Sequence, residues 1–180
     1  MAGVIQHSPG AVGLGRRPPI GGIVQLGYAT VILLRGMQAE APSVAAEILL
    51  LAGIEAEVSL VKAAAQTNRV NVVEGCDLVL SYLRKQEGFA DSPRPDLILL
   101  DLDLSDAVHC SMLKELKKDA GLKTIPAIVL TSGDSPALMH LAYELNANAC
   151  VIKPSDPERF VQVIRGTLNF WLNLARLPRN

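Results

Sequence analysis

Asp96-Leu97-Ile98-Leu99-Leu100-Asp101-Leu102-Asp103 decides how this chain is read. Four aliphatic residues run unbroken between carboxylates, just after the turn signal Ser92-Pro93-Arg94-Pro95. A short apolar run with no polar alternation is the pattern of a strand buried on both faces, in the middle of a parallel sheet covered by helices. Asp101 then falls at the carboxyl end of that strand, where open α/β sheets place their chemistry. Packing alone gives no reason for a carboxylate there.

Two more strands extend the pattern. Ala127-Ile128-Val129-Leu130-Thr131 follows Pro126, and Ala149-Cys150-Val151-Ile152-Lys153 precedes Pro154. Helical spacing lies between them, over Met112 to Lys118 and Pro136 to Leu145. Right-handed βαβ crossovers bring all three strand ends to one edge of one sheet. An Asp, a Thr and a Lys gathered there suit a small anionic group: the first accepts it covalently, the second hydrogen-bonds it, the third pairs with its charge.

With these residues the chain resembles the receiver domain of two-component response regulators. Tyr82-Leu83-Arg84, Glu87-Gly88-Phe89-Ala90, Arg94-Pro95-Asp96 and Asn169-Phe170-Trp171-Leu172 resemble the single-domain receivers that partner phytochromes. The resemblance covers about Val70 to Pro178. It implies an α/β, flavodoxin-like, doubly wound sheet of five parallel strands in the order 2-1-3-4-5, with helices on both faces. It implies Asp101 as phosphoacceptor of a histidine kinase, Thr131 and Lys153 on the phosphoryl oxygens, and a cis peptide between Lys153 and Pro154. It also implies a cytoplasmic signalling protein with no catalysis of its own.

Composition agrees. The 180 residues give room for one sizeable core, and with 49% hydrophobic but only 4% aromatic residues that core is aliphatic. A net charge of −1 argues against nucleic acid or an anionic membrane as the main partner. Cys76, Cys110 and Cys150 have no CxxC spacing and read as small core residues in a reducing compartment.

Residues 1–29, rich in Gly and Pro, read as a flexible extension before a domain spanning 30–180. Arg16-Arg17, the apolar Ile20 to Leu34 and Ala39-Glu40-Ala41 resemble a secretory signal, but Gln25 and Tyr28 interrupt it. The first strand has two placements. One puts it at Thr30 to Arg35, followed by a helix from Ser43 towards Gln66. Its stripe would be Val44, Ile48, Leu51, Ile54, Val58, Val61 and Ala65. Gly53 inside that helix costs about 1 kcal/mol. The other puts the strand at Glu47 to Leu51 and starts the helix near Glu55. The first leaves no apolar segment without a role and is the expectation carried forward.

Both placements depart from the receiver pattern. The family's two adjacent acids after the first strand hold Mg²⁺; here those positions are Gly36 and Met37, or Ala52 and Gly53. Asp101, with at most the backbone carbonyl of Asp103, should bind Mg²⁺ weakly or not at all. Glu40 and Glu55 are the candidate replacements, and no other cofactor is expected. The aromatic switch position is Cys150, and the loop after Asp101 is also altered. Without neighbouring acids, Lys153 can satisfy Asp101 directly.

Asp156-Pro157 starts a helix expected to reach about Leu177, with Phe160, Ile164, Thr167 and Trp171 over the sheet. Phe170, Leu174 and Leu177 fall on another side, which together with Trp171 suggests a homodimer or docking surface. No output domain is expected after Asn180, so signals should leave by protein contact. Two functions follow: an atypical receiver with weak or absent Mg²⁺-dependent phosphorylation, or a conventional phosphoacceptor.

Overall fold

The computed structural model describes residues 44–178 apart from Glu87. Five strands form one parallel sheet: β1 (Glu47–Leu51), β2 (Arg69–Val73), β3 (Leu97–Asp101), β4 (Ala127–Thr131) and β5 (Ala149–Ile152). Their order is β2-β1-β3-β4-β5, as expected. The helices are α1 (Glu55–Ala65), α2 (Cys76–Leu83), α3 (Ala107–Lys118), α4 (Pro136–Glu144) and α5 (Pro157–Asn169), the last running into a π-helical turn, Phe170–Leu174.

Strand side chains alternate between two cores. Ile48, Leu50, Leu97, Leu99, Ile128 and Leu130 face one side, where Val58 and Val61 of α1 and Phe160, Ile164 and Leu168 of α5 cover them. Leu49, Leu51, Ile98, Leu100, Ala127 and Val129 face the other, against Val79 of α2, Met112, Leu113 and Leu116 of α3, and Ala142 of α4. Burial on both faces explains why these strands are continuous aliphatic runs. The strand order reverses between β1 and β3, and β3 delivers Asp101 to that switch point.

The expected first strand at Thr30 to Arg35, the positions Gly36 and Met37, Glu40 and the extension 1–29 all lie outside the described residues. Within them, Glu47 to Leu51 is a strand and not the middle of a helix. Every residue of that strand is buried, which one stripe of a two-faced helix does not allow. The steps of three and four through Val58, Val61 and Ala65 are helical in both placements; only the continuation back to Val44 fails. Gly53 lies in the β1–α1 turn.

Glu47 is an unusual residue to bury at a strand start. Its carboxylate accepts from Arg69 Nε and from Asn71 Nδ2 (3.0 Å), both on β2. Its backbone is clasped by Asp96: Asp96 N donates to Glu47 O (2.8 Å) and Glu47 N to Asp96 Oδ2 (2.9 Å). This network pins the register of β2, β1 and β3 at the amino edge.

The final helix ends earlier than expected. Ala175 N donates to Phe170 O (2.8 Å), a wide π-type closure, and the chain leaves in extended conformation before Pro178, which disfavours helix in the residue preceding it. Leu168, not Thr167, completes the buried stripe; the Thr167 hydroxyl donates back to Val163 O (2.9 Å). Asp156 caps α5 as expected, accepting from Arg159 N (2.7 Å).

Lys117 of α3 is buried with neutral partners. Its ammonium donates to Ile125 O (2.7 Å), Asn148 Oδ1 (2.7 Å) and Lys123 O (3.4 Å). Burial pushes its pKa down from 10.5 to about 8. Below pH 8 both folded and unfolded chains hold this proton, so the full cost of burying the charge is present. Between pH 8 and 10.5 the unfolded chain binds more protons, so stability rises with pH, by about 3 kcal/mol in all. Cys76, Tyr82 and Cys150, whose pKa values burial raises, act in the opposite sense. Urea unfolding of wild type and Lys117→Met at pH 7.5 and 9.5 should therefore show the difference between them moving in favour of wild type as pH rises. A difference independent of pH would contradict a charged, buried Lys117.

Candidate functional site at the carboxyl edge of the sheet

Asp101 follows Leu97 and Leu99 in the set of β3 side chains that faces α1 and α5. Lys153 follows Ala149 and Val151 in the same way on β5. The strand between them carries Thr131, whose carbonyl accepts from Lys153 N (2.8 Å) and so prolongs the β4–β5 ladder to the site. The Lys153 side chain crosses this gap. Its Nζ donates to Asp101 Oδ1 (2.9 Å) and Oδ2 (2.8 Å), and to Glu57 Oε2 (2.8 Å) in the first turn of α1. All three ammonium hydrogens are thereby directed at carboxylate oxygens.

The Lys153 side chain is 9% exposed, against 21% for Asp101 and 27% for Glu57. Burial alone would push Lys153 down, but hydrogen bonds and attraction from Asp101 and Glu57 outweigh it and hold the ammonium above the usual lysine value. The cation is therefore permanent at neutral pH. Two carboxylates against one ammonium leave the cluster with one net negative charge.

Glu57 was not among the expected replacements, Glu40 and Glu55. It was nonetheless readable once the helix is set at Glu55. Glu57 lies four residues before Val61 and seven before Ala64, both buried, so it falls on the sheet-facing stripe one turn beyond the strand ends. The helix amino terminus also favours an acid there.

Thr131 is buried, and its alternation with Ala127 and Val129 assigns it to the other face. Its hydroxyl accepts from Gly133 N (3.2 Å), and among the described residues no hydrogen bond joins it to Asp101 or Lys153. Cys150 is half-buried against the core of α2, α3 and α4, and burial raises its thiol pKa. Asp103 is engaged locally: its carboxylate accepts from Ser105 N (2.9 Å) and Oγ (2.6 Å), which lowers its pKa. Its carbonyl lies 2.9 Å from His109 Nδ1. The expected cis bond between Lys153 and Pro154 is a correction: the peptide is trans, the intrinsically favoured isomer, and Lys153 reaches Asp101 without the rarer one.

The donor set lacks an adjacent acid pair. After β1 come Ala52, buried among apolar side chains, and Gly53. Both Asp101 oxygens face an ammonium, and no cluster of three metal-ligating side chains occurs among the described residues.

At the far end of α5, Phe170 (52%) and Leu174 (51%) are exposed, as expected for a second apolar side. Trp171 is half-buried against the α1–α5 core and meets the Phe170 ring edge-on at 5.3 Å.

Known proteins share this fold. The response regulator receiver domain family matches residues 54–165. Response regulator Rcp1 of Synechocystis sp. is 30% identical over 135 residues, covering 73% of this chain and 92% of Rcp1. The phosphorylated cyanobacterial phytochrome response regulator RcpA superposes with a TM-score of 0.70 at 31% identity, covering 76% of this chain and all of RcpA. The Mn²⁺-bound form of Rcp1 gives a TM-score of 0.68 at 30% identity, over 74% of this chain and 99% of Rcp1. With five parallel strands in receiver order and an Asp–Lys pair at their carboxyl edge, this chain belongs to the response regulator receiver family of two-component signal transduction.

Proposed function

We propose that this receiver is an atypical one, whose resting site uses Lys153 in place of a divalent ion and which signals by protein contact. The observation that carries the reading is the Lys153 ammonium on both oxygens of Asp101, beside a β1 end that offers only Ala52 and Gly53. A metal in phosphoryl transfer neutralises the charge developing on the phosphoryl group. Here that charge would meet one lysine already shared by two carboxylates. Partner binding would then depend little on phosphorylation. The partner class is a histidine kinase of phytochrome type, by analogy with Rcp1 and RcpA, and the place is the cytoplasm. Among the described residues no helix is long and apolar enough to cross a membrane.

A second reading, a conventional phosphoacceptor at Asp101, is favoured by the phosphorylated relative RcpA and the Mn²⁺-bound Rcp1. Thr131 and Lys153 are retained in this chain, and Cys150 replaces the switching ring in either reading.

The exposed Phe170 and Leu174, beside Trp171, supply the contact surface of a homodimer in this proposal. Large apolar side chains at the centre of an interface carry most of its energy.

Incubation with acetyl phosphate and Mg²⁺, followed by intact mass, tests the first reading. Wild type should gain phosphate slowly or not at all; rapid, near-complete gain of one phosphate would establish the second. Sedimentation velocity tests the dimer. Leu174→Glu should weaken self-association by about tenfold or more. A wild-type chain that stays monomeric at high micromolar concentration would remove that surface from the proposal.

A further inference from the structure

We infer that Glu57 is a positioning residue that withholds Lys153 from an incoming phosphoryl group, and that occupation of Asp101 by such a group expels Glu57 and loosens the start of α1. The inference deepens the proposed function and rests on Asp101 facing the incoming anion.

It starts from the donor count. Lys153 has three N–H donors, two on Asp101 and one on Glu57. A phosphoryl group on Asp101 brings three acceptor oxygens and further negative charge. In the transfer from acetyl phosphate, an Asp101 carboxylate oxygen forms a new P–O bond. The donor's P–O bond breaks, and acetate leaves with the electron pair. Esterification neutralises Asp101 and frees the Lys153 donors it held, but it sets the phosphoryl charge on the same ammonium as the Glu57 carboxylate, and that like-charge contact must be relieved. Glu57 is the neighbour that can yield. It is the most exposed of the three side chains, so it can turn out to water, whereas Asp101 is the attachment point. The net negative charge of the cluster also repels any arriving anion until Glu57 has moved.

The coupling reaches further. Glu57 stands one turn before Val61, which packs with Phe160 and Ile164 of α5. Trp171, beyond α5, rests against the same core. Releasing Glu57 frees the α1 amino terminus from β5 and changes the surroundings of the chain's single tryptophan.

The test uses the full chain and beryllium fluoride, a phosphoryl mimic, with binding read by ¹⁹F NMR and Trp171 by fluorescence, each with and without Mg²⁺. Glu57→Gln keeps the size of the side chain and removes its charge; Glu57→Ala removes both. Both should bind the mimic about tenfold more tightly than wild type. Wild type should show a Trp171 change on binding that Glu57→Gln lacks, because there Glu57 no longer clamps α1. A role confined to stability would shift the unfolding midpoint and leave these two readouts unmoved. Unchanged affinity, or no binding in any variant, would overturn the inference while leaving the proposed weak phosphorylation intact. Loss of Mg²⁺-dependent binding in both variants would make Glu57 a ligand and overturn it as well. Fast labelling of wild type by acetyl phosphate would instead sink the proposed function and leave the comparison of variants readable.

Discussion

One ammonium, that of Lys153, sits between carboxylates from two other elements, and the carboxyl edge of the sheet is arranged around it. A charge so little exposed is stable only when its donors are satisfied, and removing one partner of such a pair leaves a costly orphan. Asp101 and Glu57 satisfy it here. The same cation that balances Asp101 lies against both its oxygens, beside a β1 end without carboxylates.

The alternation of the strands determines which residues can take part. Asp101 and Lys153 fall in step with side chains facing α1 and α5, and Glu57 comes from α1. Thr131 and Cys150 fall in step with the opposite core, among α2, α3 and α4. At rest the charged cluster and the hydroxyl are therefore neighbours across a strand without sharing a hydrogen bond. Asp103 has its own small network, with Ser105 in the loop and His109 at the start of α3.

Much of this was legible in the residues. Leu97 to Asp101, Ala127 to Thr131 and Ala149 to Ile152 announce themselves as strands because burial on both faces leaves no room for polar alternation. The cap at Asp156 is local chemistry and equally plain. The first strand was not. Its opening residue is a glutamate, whose carboxylate is met by Arg69 and Asn71 on β2 and whose backbone is held by Asp96 just before β3. Those contacts span 22 to 49 residues of sequence, beyond any local pattern. The misplaced strand then hid Glu57, because a helix drawn through Glu47 to Leu51 gives no reason to look for a carboxylate at the strand ends. The closeness of Lys153 to Asp101 was legible from two strand ends that reach one edge of one sheet.

The Glu57–Lys153 bond joins residues 96 apart, and α1 shares its apolar stripe with α5. On a ribosome the order of appearance matters. Val58 and Val61 emerge well before their cover, Phe160 and Ile164, is made. Until then α1 must wait with an oily side uncovered. A nascent chain stalled before β5 would thus present that naked stripe, the natural target of a chaperone.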